Sequence, residues 1–127
     1  SGTLMFNLAA DGVRDTAQGI TYDTTTNTIW LSDYDFGATV TGGRVRQYDL
    51  SGNELFSFAV VDSLGNASER NTALAYAFSD DTFWMNAHVE DTLGFGFGEL
   101  WQFDRNGIFL QKIHGQQIDQ NAPGGIL

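Results

Sequence analysis

Gln18-Gly19-Ile20-Thr21-Tyr22-Asp23, followed by Asn27-Thr28-Ile29-Trp30-Leu31-Ser32-Asp33, decides the fold because it returns later in the chain. Tyr22 and Trp30 stand 30 − 22 = 8 residues apart, and Tyr76 and Trp84 keep that spacing (84 − 76 = 8). The offset between the pairs is 76 − 22 = 54. Further on, Tyr48-Asp49-Leu50-Ser51-Gly52 matches Phe103-Asp104-Arg105-Asn106-Gly107 at 103 − 48 = 55, so one inserted residue reconciles the halves. Ile20 aligns with Leu74, Leu31 with Met85, Val45 with Leu100, Leu55 with Leu110 and Phe58 with Ile113. A spacing held over so many positions is the mark of an internal repeat.

Each copy parses into four strands. The sequence predicts strands over 19–23, 28–33, 44–49 and 54–60, then over 73–78, 82–87, 99–104 and 108–113. Alternation of apolar and polar residues supports them, since side chains in a strand face opposite ways with period two. Leu55-Phe56-Ser57-Phe58-Ala59-Val60 is apolar on both faces, which suits a sheet packed between neighbouring sheets. Gly52 and Gly107 sit where tight turns need positive φ, and Thr24 to Asn27 and Ser79 to Asp81 are short polar links. Leu4 to Leu8 reads as a last strand, and Gly125-Ile126 as the opening of a first one. The expected fold is therefore all-β: two four-stranded antiparallel meanders of propeller-blade type plus partial terminal strands. It forms a single domain over 1–127, with copies over about 17–63 and 73–115. A β-sandwich of about nine strands is the alternative.

The quoted strings resemble blades of bacterial extracellular β-propellers, similar to the NHL and SMP-30-like repeat group and to propellers of PEP-CTERM exported proteins. The resemblance implies a blade architecture and an extracellular or periplasmic bacterial setting. It implies no particular activity, because the fold hosts many. Asp23 and Asp33 become Ala77 and Ala87 in the second copy, and no PEP sorting tail is present. The metal-binding carboxylates of SMP-30-like lactonases find no position-by-position match.

Composition narrows the partners. The 127 residues carry 16 acids against 6 bases, a net charge of −10, so phosphate backbones and anionic lipid would be repelled. No cysteine is present, which removes disulfides and cysteine metal sites. No apolar run approaches the roughly 18 residues of a membrane-spanning helix. No Ser–His–Asp constellation or nucleophile elbow appears.

Alternating antiparallel strands put the longer links, 34–43, 61–72, 88–98 and 114–124, on one rim. Long loops on a rigid scaffold are where binding concentrates. Asp33 and Asp35 flank Tyr34 as alternate carboxylates, the pattern that supplies oxygens to Ca²⁺, without the rest of an EF-hand loop. His88, Glu90 and Asp91 group a proton-shuttling imidazole with carboxylates, whereas His114 stands alone. Phe95 and Phe97, within Gly94-Phe-Gly-Phe-Gly98, either pack in a blade or stack on a sugar ring. Asn66-Ala67-Ser68 fits a glycosylation pattern, which has no meaning in most bacterial chains. The expectation is a non-catalytic module for binding or self-assembly, without a required cofactor. Its partner is a second copy, the remainder of a longer propeller, or a glycan or protein ligand. The alternative is a metal-dependent hydrolase with Asp33, Asp35, Glu90 and Asp91 as ligands.

Overall fold

The computed structural model describes residues 15–35, 43–68, 71, 73–90 and 96–114. These form β1 (Asp15–Asp23), β2 (Thr28–Asp35), β3 (Arg44–Tyr48), β4 (Glu54–Ala59), β5 (Leu74–Ala77), β6 (Thr82–Glu90), β7 (Gly96–Asp104) and β8 (Phe109–His114). They make two antiparallel sheets, ordered β1-β2-β3-β4 and β5-β6-β7-β8, each strand pairing with the next in the chain. The architecture is all-β, and among the described residues no helix is long and apolar enough to cross a membrane.

Pairing registers coincide between the sheets. Ile20 lies opposite Leu31 as Leu74 lies opposite Met85. Leu31 faces Arg46 as Met85 faces Trp101, and Arg46 faces Ser57 as Trp101 faces Lys112. The register shift after Gln47 has its counterpart after Gln102. Gln47 Nε2 donates to Thr28 Oγ1 at 3.0 Å, and Gln102 Nε2 donates to Thr82 Oγ1 at 2.8 Å.

The strands run further at one rim than the sequence predicts. His88, Val89 and Glu90 pair with Gly98, Phe97 and Gly96, so the stretch expected to form a loop over 88–98 is partly sheet. Asp15 and Asp35 pair as well, and a bulge between Ala17 and Gly19 absorbs the extra residue. Cross-strand bonds satisfy backbone groups that composition assigns to a loop; Gly96 and Gly98 weaken a strand without forbidding it. Within 61–72, another expected long link, Asp62 to Asn66 forms a tight turn closed by a bridge between Val61 and Ala67.

That turn is the third of its kind. The backbone N–H groups of Asp49, Asp62 and Asp104 donate to the carbonyls of Asn53, Asn66 and Ile108. Each aspartate also accepts two backbone N–H groups on one carboxylate oxygen. Gly52, Gly65 and Gly107 supply the left-handed position, with φ of 87°, 83° and 81°. Such local side-chain bonding is why aspartate and glycine punctuate strands. The predicted terminal strands at Leu4 to Leu8 and Gly125-Ile126 lie outside the described residues.

The sheets pack face to face through an aromatic core. Trp30 meets Phe83 with ring centroids 4.4 Å apart, and Phe58 meets Phe103 at 5.5 Å. Val45, Val60, Leu74, Met85, Ala87 and Trp101 complete the buried cluster. The contact has a direction. The first sheet buries the face holding Thr28, Trp30, Val45, Gln47 and Phe58, and the second buries the opposite type of face, with Leu74, Phe83, Met85, Trp101 and Phe103. Gly19 lets β1 approach β5: a Cβ there would lie 2.7 Å from the Leu74 nitrogen.

Candidate functional site

Of the acidic constellation expected at the rim, Asp33 is engaged within the fold. Asp33 is buried, and its two carboxylate oxygens accept the Arg44 backbone N–H at 2.9 Å and the Arg46 Nε at 2.7 Å. Arg46 also bonds Glu54, and these partners raise its pKa despite partial burial. A metal at Asp33 would have to displace Arg46. Asp35 pairs with Asp15 across β1 and β2; His88 and Glu90 lie in β6, and Phe97 lies in β7 opposite Val89. Asp91 and Phe95 lie outside the described residues. Among the described residues, no group of three or more His, Cys, Asp or Glu gathers as a metal site.

Two charged clusters tie the sheets together instead. Arg105, from the β7–β8 turn, reaches across to the fully buried Asp23 and holds Asp81 and the Tyr76 hydroxyl on its own side. Burial pushes the Asp23 carboxyl up, but hydrogen bonds from Arg105, Thr26 and Thr25 outweigh it and hold the group well below the usual carboxylate range. The Arg105 side chain and Tyr76 lower Asp81 as well, and Arg105 rises in turn. Tyr76 also exchanges a 2.9 Å hydrogen bond with Thr25 of the first sheet. In the second cluster, buried Glu99 accepts the Trp101 indole N–H at 2.6 Å. Lys112 lies 3.6 Å from Glu99 and 3.8 Å from Asp62, stacked over the Trp101 ring. The sequence offers no local signal for Arg105–Asp23, whose partners stand 82 residues apart.

The outer faces are the remaining feature. On the first sheet, Ile20 and Tyr22 are 66% and 48% exposed beside Leu31 and Ile29, and Leu55 of β4 is 54% exposed. A recess of about 240 Å³ opens there, lined by Ala17, Gln18, Gly19, Ile20 and Leu31. On the second sheet, Trp84, Leu100 and Ile113 share the outer face with Thr82 and Gln102. On the first sheet the apolar side chains border Asp33, Arg44 and Arg46. Comparison with family models, curated proteins and solved structures found no match.

Proposed function

We propose that this chain is a non-catalytic blade module of β-propeller type, which works by stacking its outer sheet faces on further sheets. One observation carries the reading: the outer face of β5–β8 is built like the buried face of β1–β4. Thr82, Trp84, Leu100, Gln102 and Ile113 stand where Thr28, Trp30, Val45, Gln47 and Phe58 stand, including the Gln–Thr hydrogen bond. The outer face of β1–β4 repeats much of the other half of the contact, with Ile20, Ile29, Leu31 and Tyr48 in the places of Leu74, Phe83, Met85 and Phe103, while the Arg46–Asp33 pair takes the places of Trp101 and Ala87. A face of this composition gains free energy by leaving water. The exported bacterial setting belongs to the same reading, and the net charge of −10 suits a module that must stay dispersed until it stacks. Fractionation of the native cells tests that setting, and recovery only in the cytosol would overturn it.

The lack of cysteine makes the stacking itself testable by single-thiol labelling. Cysteines placed at Ile20, Leu55 and Ile113 should react slowly with a maleimide in the native assembly, whereas one at Ser51 reacts fast. Equal rates at all four positions would overturn the reading.

A further inference from the structure

On the reading just given, we infer that the sheet stacked on each outer face belongs to a second copy of this chain, docked head to tail. In that contact the outer face of β5–β8 lies on the outer face of β1–β4 of the next copy.

The argument rests on what replaces the internal clamp. Inside the molecule, Arg105 of the second sheet meets Asp23 of the first, supported by Asp81. The equivalent positions on the outer faces are Leu50 for Arg105 (105 − 55 = 50), Ala77 for Asp23 (23 + 54 = 77) and Asn27 for Asp81 (81 − 54 = 27). All three charges are gone together. Leu50 is 46% exposed and Ala77 half-buried, so docking puts an apolar side chain on a methyl and strands no carboxylate.

The surroundings of the clamp are kept. Tyr22 donates to Asn27 as Tyr76 donates to Asp81, and both Asn27 and Asp81 have positive φ, 57° and 60°. Ser79 stands in the place of Thr25, so a hydroxyl is again offered to the tyrosine. Gly107 packs so closely on Phe58 that a Cβ would fall 2.3 Å from its ring. The matching pair across the outer contact is Gly52, also at positive φ, with Ile113.

The charge pattern also fixes the order of sheets. Stacking two first sheets in this manner would set Asp23 against Leu50, and stacking two second sheets would set Arg105 against Ala77. The first error buries Asp23 without its cation, and the second leaves Arg105 with Asp81 alone; both are costly. Of these stackings, only alternation of the two sheets sets Arg105 against Asp23 and Leu50 against Ala77. Four departures loosen the outer contact: Ala73 replaces Gly19 at the closest approach, Ala75 replaces Thr21, which accepts the Tyr76 N–H at 3.1 Å, and the Arg46–Asp33 ion pair stands in the places of Trp101 and Ala87. A head-to-tail contact of this kind generates rings when its rotation closes. Two to four copies would give the roughly four to eight blades of a closed propeller.

The test is the solution mass of the full chain by light scattering, with variants at the predicted contact. Wild type should form a discrete particle of about two to four copies. Ala77→Asp and Leu50→Arg should each weaken assembly by at least about tenfold, as an unpaired charge at a dry contact does. Combining them in one chain should restore it, and so exceed either single variant. Circular dichroism confirms that each variant keeps its sheets; Leu50→Arg, at an exposed turn, serves if Ala77→Asp does not fold. A wild-type chain that stays single up to about 100 µM overturns the second-copy proposal. Thiol protection in the native source would then still support stacking on sheets of another polypeptide. Assembly indifferent to both substitutions overturns the head-to-tail contact itself.

Discussion

Trp30 and Trp101 are both fully buried, yet their indole nitrogens fare differently. Trp101 donates to buried Glu99, whereas among the described residues the Trp30 nitrogen has no hydrogen-bond partner. Replacing each by phenylalanine removes a similar volume from the core, so the difference isolates the polar contact. Trp101→Phe should cost about 1.5–3 kcal/mol more than Trp30→Phe in urea unfolding, because the buried Glu99 carboxylate loses the indole N–H it accepts. Asp23 gives a second prediction. Its folded-state pKa is depressed, so its stabilisation is complete above the unfolded value of about 3.9 and is lost as pH falls below it. Asp23→Asn should therefore flatten the loss of stability below about pH 4. Arg105→Ala should cost about 2–4 kcal/mol at pH 7, since the fully buried carboxylate loses its cation while Arg105 itself is partly solvated. Unfolding titrations across pH check both.

At the scale of elements, the three aspartate–glycine turns permit an internal comparison. Gly65 and Gly107 share a left-handed backbone, but a Cβ at Gly65 meets nothing within 4 Å while one at Gly107 strikes Phe58. Gly65→Ala should cost about 1 kcal/mol from backbone strain alone. Gly107→Ala should cost about 1–3 kcal/mol beyond that, because the ring must move within a packed seam; thermal melts of the pair decide it. The strands and two of these turns were legible in sequence because their causes are local: period-two alternation and glycine at a fixed offset from aspartate. The third turn, Asp62-Ser63-Leu64-Gly65-Asn66, spells nearly the same string as Asp49 to Asn53 but sits within a stretch whose polarity reads as loop. Glycine-rich composition likewise hides the extension of β6 and β7 to Glu90 and Gly96, which cross-strand bonding supplies.

At the scale of the molecule, the core belongs to neither sheet alone. Trp30 and Phe58 are covered by Phe83 and Phe103 from the other sheet, so loss of the seam exposes both. Tryptophan fluorescence and far-ultraviolet circular dichroism should therefore report one coincident transition; two separated transitions would show that the sheets unfold independently. Of the candidate site, the sequence reveals the residues but not their use. Asp33 reads in sequence as one of two alternate carboxylates, and no pattern there announces Arg46, 46 − 33 = 13 residues later, which lies beside it across the β2–β3 pair. The clusters that join the sheets stay hidden because no short-range pattern links Arg105 to Asp23 or Lys112 to Asp62. The strictly sequential strand order has a consequence for the path by which the chain reaches this state. Every ladder pairs neighbours in sequence, so each sheet zips with small loop-closure entropy, while the seam must wait for both. Residues of the seam then act mainly on how long the native state survives, and residues of the turns on how quickly it is found.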